Sequence, residues 1–299
     1  YWVICDTGST DGTQSIIKKY FKKKGISGDL YEDEWVDFAH NRTLAFKKAK
    51  SKADYCFVMD ADDKLIGDLI LPKGDFTDFM IKLKLSNIEY SRKLIFKNDL
   101  DWKYVGVVHE YPCLIDSTIQ TKTTTINNCY IKAGTFGNRS NNGYSKFDRD
   151  IKLLLKGLRD EPKNKRYHFY LAQSYKDKND NKNAIEWYKK RVELGGWEEE
   201  VYYSLYSIGV CKERENYDFE KEVLHDYLRA FNYRKTRLES LYRIVKYYRE
   251  KENYKQAYAY GFMGYKLDYP KDLLFVEEDI HKYKFLDEFT IAAYWDGFL

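Results

Sequence analysis

The sequence predicts an α/β unit followed by an all-α unit. Short apolar runs alternate with helical patterns near the N-terminus, and one of these runs, from Asp54, ends in the carboxylates of Asp60, Asp62 and Asp63. From Ser145 onward the apolar period is helical throughout. We therefore expect an α/β domain at 1–143 and a helical domain at 144–299.

The charge balance, the cysteines and the apolar runs indicate which classes of function the composition favours. Lys and Arg total 51 against 47 for Asp and Glu among 299 residues, and the lysine clusters lie on predicted helix faces, so solvated faces are favoured over nucleic-acid binding. The five cysteines form no CxxC pair, which indicates free thiols and a cytoplasmic location. No apolar run has membrane-spanning length and no signal peptide is visible, although a chain that starts at Tyr1 without methionine leaves room for a targeting segment upstream.

The first unit reads as strand, loop and helix. Tyr1 to Cys5 predicts a strand, and a loop rich in Gly, Ser and Thr opens a helix that ends at Gly25, with Asp11 and Gln14 as a capping box. Such a loop offers backbone N–H groups to a polar ligand, or is simply a well-capped turn. Its Asp-Thr-Gly-Ser sequence also matches an aspartic protease motif, but a protease needs two such aspartates, and here a basic helix follows.

The second unit carries the acidic residues. Asp37 is expected to cap a helix on which Arg42 either neutralises phosphate or lies on the surface, and the run from Asp54 is expected to be a buried parallel strand. Asp60 and Asp62 at the end of this strand suit a hard cation that bridges a diphosphate. A phosphotransferase reading of Asp-x-Asp-x-Thr is disfavoured because Lys64 replaces the threonine.

Antiparallel strands are predicted next. Residues 79–85 alternate in polarity and can pair with the run 88–96, and a further apolar strand from Trp102 ends at His109 and Glu110. The polar stretch 115–143 is expected to be a loop with one strand near its end.

Three motifs in this order resemble glycosyltransferase family 2, whose GT-A fold transfers a sugar from a nucleoside diphosphate donor. They are Val3-Ile-Cys-Asp-Thr-Gly-Ser-Thr-Asp-Gly-Thr13, Asp37-Phe-Ala-His-Asn-Arg-Thr43 and Asp60-Ala-Asp-Asp63. The opening strand and helix of that family do not appear in this sequence, and relatives often have Arg before Asn where this chain has Asn41-Arg42.

The resemblance implies a set of donor-side and acceptor-side residues. Those implied for the nucleotide-sugar, a UDP-sugar by family habit, are Asp6, Thr7, Gly8, Ser9 and Asp60. Arg42 is a further candidate for the diphosphate, and so is Arg139, whose segment 137–140 either closes on the diphosphate or is a plain surface loop. Asp60, Asp62 and His109 are the candidate ligands for Mn²⁺ or Mg²⁺. Glu110 is the candidate general base; Asp99 and Asp101 are rival bases, and His109 with Glu110 as a structural pair is the plain alternative.

The helical half shows internal repeats. Tyr170 to Tyr175, Ser204 to Gly209 and Ser240 to Val245 recur at spacings of 34 and 36, with a downstream alanine at Ala184 and Ala257. This resembles tetratricopeptide helix pairs, stacked in a short array that ends in a capping helix at 280–299.

The resemblance therefore implies a metal-dependent glycosyltransferase that moves a sugar, with inversion at the anomeric carbon, to a hydroxyl of a glycan or protein acceptor presented by the repeats. The competing interpretation is a nucleotide-binding or catalytically inactive scaffold whose repeats bind a protein partner.

Overall fold

Contacts within the chain divide it into two units, Tyr1–Lys146 and Phe147–Leu299. The computed structural model describes residues 1–85, 88–134 and 146–298. Strands dominate the first unit and helices the second, which confirms the predicted order of fold classes.

The first unit joins short strands to two helices. Its described elements are β1 (Trp2–Asp6), α1 (Thr13–Lys24), β2 (Gly28–Glu32), α2 (Phe38–Ala49), β3 (Tyr55–Phe57), β4 (Lys64–Gly67), β5 (Asp78–Leu85), β6 (Ile88–Lys97), β7 (Trp102–Val105), β8 (Tyr111–Leu114) and β9 (Thr123–Lys132).

These strands form three sheets. β1 and β2 pair in parallel, β7 and β8 form an antiparallel hairpin, and the remaining strands have the order β3-β6-β5-β9-β4. The predicted pairing of β5 with β6 is confirmed and is antiparallel. Alternate residues of β5, Phe79, Ile81 and Leu83, are almost completely buried and form the core of the largest sheet.

The strand before the acidic residues differs from its prediction. β3 pairs antiparallel with β6, through Tyr55 opposite Lys97, and its residues are half-buried, so the predicted buried parallel strand is wrong. An apolar run predicts that its side chains are buried, but it does not predict whether the strand pairs parallel or antiparallel, which depends on the neighbouring strand. Here that neighbour is the second arm of the β5–β6 hairpin.

Helix boundaries follow the predicted capping residues in most places. Asp37 accepts a hydrogen bond from the backbone N–H of His40 at 2.7 Å and begins α2, and Gly25, with a φ of 65°, ends α1. The capping box predicted for α1 is absent, because Gln14 points back to the loop and Gly12 occupies the N-cap without a side-chain bond.

The second unit is a succession of antiparallel helices. They are α3 (Lys146–Asp160), α4 (Lys165–Asp177), α5 (Asn181–Glu193), α6 (Glu198–Arg214), α7 (Leu224–Tyr233), α8 (Glu239–Glu250), α9 (Tyr254–Phe262) and α10 (Phe285–Trp295), with π-helical turns at Phe219–Val223 and Ile280–Lys284.

The repeated segments occupy equivalent places in this array. The three recurring motifs lie on α4, α6 and α8, and each of these helices packs against the helix that follows it. The repeated alanines, Ala184 on α5 and Ala257 on α9, are fully buried, which permits the close helix contact that small residues allow. The unit is thus an array of tetratricopeptide-like helix pairs.

Two further expectations concern cysteines and membranes. All five cysteines are free thiols. Of the helices in the described ranges, none combines the length and the apolar character needed to cross a membrane.

Candidate functional site

The loop after β1 is shaped by Asp6. Its Oδ1 accepts hydrogen bonds from the backbone N–H groups of Gly8 at 3.0 Å and Ser9 at 2.9 Å and from Nε2 of Gln14 at 2.9 Å. Burial alone would raise the pKa of Asp6, but these bonds outweigh it and lower the pKa below its usual value. Asp6 therefore stays ionised and holds the loop in place from inside, while Thr7 and Gly8 are exposed.

The acidic residues after β3 form a tight turn. The backbone N–H of Asp63 donates to the carbonyl of Asp60 at 3.1 Å, and the carboxylate of Asp63 accepts from the N–H of Gly134 at 3.1 Å. Burial, opposed by that bond, raises the pKa of Asp63. A Cβ at Gly134 would lie 2.2 Å from the carbonyl oxygen of Asp62, so only glycine permits this approach. The end of β9 thus supports the turn from behind.

Helix α2 carries Arg42 and is fixed to β7. The N–H of Tyr104 on β7 donates to the hydroxyl of Thr43 at 2.9 Å, which sets the position of the helix against the strand. The guanidinium of Arg42 pairs with Asp60 through Nη2, and its Nε lies 2.9 Å from Oε1 of Glu110. Its Cζ also lies 5.6 Å from the centre of the Tyr104 ring.

The hairpin between β7 and β8 places Glu110 against Arg42. Gly106, with a φ of 110°, and His109, with a φ of 53°, both adopt the left-handed backbone region, so the five residues from Gly106 to Glu110 turn sharply. The single strand predicted to run into His109 and Glu110 is therefore two strands with a turn, and the two residues lie in the turn.

Charge pairing dominates this cluster. The Glu110 side chain is only 8% exposed, Arg42 is 21% exposed and Asp60 is 42% exposed. Burial would lower the pKa of Arg42, but Asp60, Tyr104 and Glu110 outweigh it and raise the pKa. Burial raises the pKa of Tyr104 to about 12. The cluster is an ionised arginine between two carboxylates over a neutral tyrosine ring.

The structure brings together some of the predicted site residues. Arg42 contacts both Asp60 and Glu110, whereas Asp6 bonds with its own loop. Within the described residues, no group of three His, Cys, Asp or Glu side chains is arranged to hold a metal ion. The set Asp60, Asp62 and His109 therefore does not fit a three-ligand site as it stands, and Arg42 supplies the positive charge next to Asp60. Arg139 lies outside the described residues.

Sequence reasoning missed the two residues that position Arg42. Thr43 fixes the helix, and Tyr104 forms the buried floor beneath the guanidinium. The alternation of Trp102 and Tyr104 as bulky residues along β7 is a period-two pattern that marks a buried face and could have indicated Tyr104. No local pattern indicates the hydrogen bond that Thr43 accepts from Tyr104, because the two residues are distant in sequence.

The fold and the cluster define a class: an α/β domain with an acidic turn and a buried arginine–glutamate pair, followed by helical hairpins. Residues 2–72 match the family described as Glycosyl transferase family 2, so the resemblance of the N-terminal motifs is confirmed over that stretch. Comparison with curated protein sequences gives no match.

Solved structures similar to the chain are helical repeat proteins. The structure of MamA protein is 18% identical, with 51% of this chain and 74% of that chain covered and a TM-score of 0.39. MamA 41-end from Desulfovibrio magneticus RS-1 is 14% identical over 51% and 87% of the two chains, with a TM-score of 0.35. YrrB, a TPR protein with an unusual peptide-binding site, is 13% identical over 51% and 79%, with a TM-score of 0.35.

Proposed function

We propose that the chain is a glycosyltransferase that takes a sugar from a nucleotide-sugar, a UDP-sugar by preference, and moves it with inversion to a hydroxyl of a glycan or protein. The observation that carries the proposal is the Asp60–Arg42–Glu110 cluster beside the acidic turn, in a stretch that matches glycosyltransferase family 2. The cluster holds both groups that such a transfer needs: a cation for a leaving diphosphate and a carboxylate for a hydroxyl proton.

Arg42 has the properties of a diphosphate ligand. Its guanidinium is ionised, rests on Tyr104 and faces the half-exposed Asp60, so phosphate oxygens that reach Asp60 also reach its donors. Because phosphate and carboxylate compete for the same N–H groups, donor binding would loosen the pairing of Arg42 with Asp60 and Glu110.

Glu110 then becomes the base. In the ligand-free chain its carboxylate is almost buried, and Oε1 lies 2.9 Å from Nε of Arg42. As the guanidinium turns toward the diphosphate, a Glu110 oxygen becomes free to accept the proton of the acceptor hydroxyl during its attack on the anomeric carbon. Asp6 keeps the loop at the end of β1 in shape for the nucleoside.

The dependence on Mn²⁺ or Mg²⁺ remains a prediction. Asp60 and Asp62 offer oxygen ligands, and a cation bound there would offset diphosphate charge. No described third ligand is positioned with them, and Asp60 already has Arg42 as its partner. Of the two carboxylates, Asp62 is therefore the better residue for testing the metal.

The test is thermal stability against nucleoside diphosphates and sugar nucleotides, with and without Mn²⁺, for the wild type and Asp62→Asn. A ligand at a hundred times its dissociation constant stabilises the folded state by about 2.7 kcal/mol, which shifts the melting temperature measurably. A shift for one nucleotide, with release of free sugar or transfer to an acceptor, supports the enzyme, and its loss without Mn²⁺ and in Asp62→Asn supports the metal site. No shift with any nucleotide contradicts the proposal.

A second candidate is a scaffold that binds a nucleotide or a protein partner without turnover. The observation that favours it is that Arg42 forms ion pairs with both Asp60 and Glu110, so neither carboxylate is free for catalysis. Sugar-nucleotide hydrolysis separates the two: the scaffold predicts a melting shift without hydrolysis, and the enzyme predicts both.

A further inference from the structure

Residues 267–277 of the helical unit have no regular secondary structure, and the part from 269 to 277, which we call the strap, crosses one face of the array. It contacts Phe169 on α4, Glu199 and Tyr203 on α6, and Glu239 on α8. These are alternate helices of the array and therefore share a face. The strap thus occupies a surface built by all three repeats.

One set of contacts between the face and the strap uses the backbone atoms of the strap. Arg237, which is fully buried, donates to the carbonyl oxygens of Leu274 at 3.1 Å and Phe275 at 3.0 Å. The carboxylate of Glu199 accepts from the N–H groups of Leu273 and Leu274 at 2.8 and 2.7 Å. Recognition of main-chain donors and acceptors in this way is typical of a bound extended peptide.

Two strap side chains, Asp272 and Leu274, are almost completely buried, whereas Phe275 contacts Phe169 and Tyr203 with its ring and Glu277 accepts from the hydroxyl of Tyr206 at 2.8 Å. Asp272 accepts from Arg234 at 2.5 and 2.7 Å and from Arg237 at 3.2 Å, and burial of its carboxylate is outweighed by these partners, which lower its pKa. Leu274 is buried in the core between the helices. Leu273, between them, is 88% exposed and contributes only its backbone. The strap therefore presents an Asp-x-Leu pattern to the face.

The helical side replaces only part of these contacts, because Arg237 keeps its bonds to Glu239 but loses those to the strap. Arg237 and Glu239 are fully buried ions, and the donors of Arg237 that face the strap would lose their carbonyl partners if the strap left. Nη2 of Arg237 would keep Glu239 as a partner and Nη1 would be left to water, so an extended chain that offers the same oxygens would restore the lost bonds. The strap itself holds Phe275 in the left-handed region, with a φ of 46°, which is unfavourable for a residue with a side chain.

We propose that the shared face of α4, α6 and α8 is a binding site for an extended Asp-x-Leu peptide and that the strap is its intramolecular ligand, which must leave before a peptide binds in trans. A tethered segment competes at an effective concentration on the order of mM, so a separate peptide at micromolar concentration is excluded from the intact chain. Weakening the strap without changing the face removes this exclusion.

The experiment measures binding of a fluorescent peptide with the sequence of residues 269–277 to three full-length chains. They are the wild type, the strap variant Asp272→Ala/Leu274→Ser, and the control Leu273→Ser, which alters only an exposed side chain. We expect fluorescence anisotropy to show binding at least about tenfold tighter to the strap variant than to the other two, and no binding of a peptide with the same Asp and Leu replaced. Equal binding, or none, to all three chains overturns the proposal, as does equal gain in Leu273→Ser.

Hydrogen exchange of the wild type decides the matter if the strap variant does not fold. A displaceable strap requires the amides of Leu273 and Leu274 to exchange by local opening while the amides of α6 and α8 stay protected. Exchange of these two amides only through global unfolding would make the strap a permanent part of the fold and overturn the proposal.

Discussion

The pairing of Arg42 with Glu110 makes a quantitative prediction. The perturbation is Arg42→Met and Glu110→Gln, made separately and together. Opposite charges about 4 Å apart at an effective dielectric constant of about 20 attract by roughly 4 kcal/mol, and desolvation of the two groups offsets part of this. Because the Glu110 side chain is only 8% exposed, Arg42→Met leaves a nearly buried charge without its partner.

We expect Arg42→Met to lower the free energy of unfolding of the first unit by about 2–4 kcal/mol, since removing one member of a buried pair is strongly destabilising. Glu110→Gln should cost less, about 1–2 kcal/mol, because Arg42 keeps Asp60 as a partner. The double variant should be more stable than the sum of the two single costs predicts, by about 1–3 kcal/mol of coupling.

The assay has to report on the first unit alone, because two units need not unfold together. Hydrogen exchange of the buried strand β5, followed in urea by mass spectrometry, meets that requirement, since Ile81 is fully buried in the core of the unit. Arg42→Lys is the matched control: it keeps the charge but lacks the planar fork that reaches both carboxylates, and should retain only part of the coupling. Additive costs, within about 0.5 kcal/mol, would refute the pairing.

Three further predictions test other contacts. Thr43→Val removes the acceptor for the N–H of Tyr104 and should lower stability by about 1–3 kcal/mol in urea unfolding and weaken nucleotide binding, whereas Thr43→Ser should preserve both. Gly134→Ala should displace the acidic turn and abolish the nucleotide-dependent melting shift, because its Cβ would overlap a backbone oxygen; an unchanged shift would contradict this. Burial opposes ionisation of Glu239, but its partners prevail and lower its pKa to about 2 from 4.5, so it contributes stability above pH 4.5, on the order of 3 kcal/mol, that is lost as the pH falls toward 2. Glu239→Gln should melt earlier at pH 7 and approach the wild type at pH 2, and a gap independent of pH would contradict the assignment.

Local signals in the sequence identified much of the fold. The Asp37 cap, the Gly25 stop and the alternation in β5 each depend on neighbours within a few residues, and each was found in the structure. The repeat spacing identified the helix pairs because each repeat is a local unit that packs on the next.

Long-range pairing escaped the same reasoning. The direction of β3 depends on β6, which follows it by about forty residues, and the turn that carries Glu110 depends on left-handed conformations at Gly106 and His109. The sequence does not signal the pairing of β3. For the turn, Gly106 and His109 are residue types that enter the left-handed region more readily than most, and sequence reasoning did not use that signal. The strap was also missed, because part of its contacts use backbone atoms, which leave no pattern of residue types, and its side-chain partners are distant in sequence.

The order of Asn41 and Arg42 on α2 determines which way each of the two side chains points. Asn41 is buried, and its side chain accepts from the N–H of Val36 at 3.0 Å and donates to the carbonyl of Glu34 at 2.9 Å, so it fixes the segment that leads into α2. Successive residues of a helix point about 100° apart, so Arg42 faces the carboxylates only because Asn41 faces the segment before the helix. The reversed order would direct the guanidinium at that segment and the amide at Asp60. The order in this chain is therefore the one that its own loop requires for Arg42 to reach both Asp60 and Glu110.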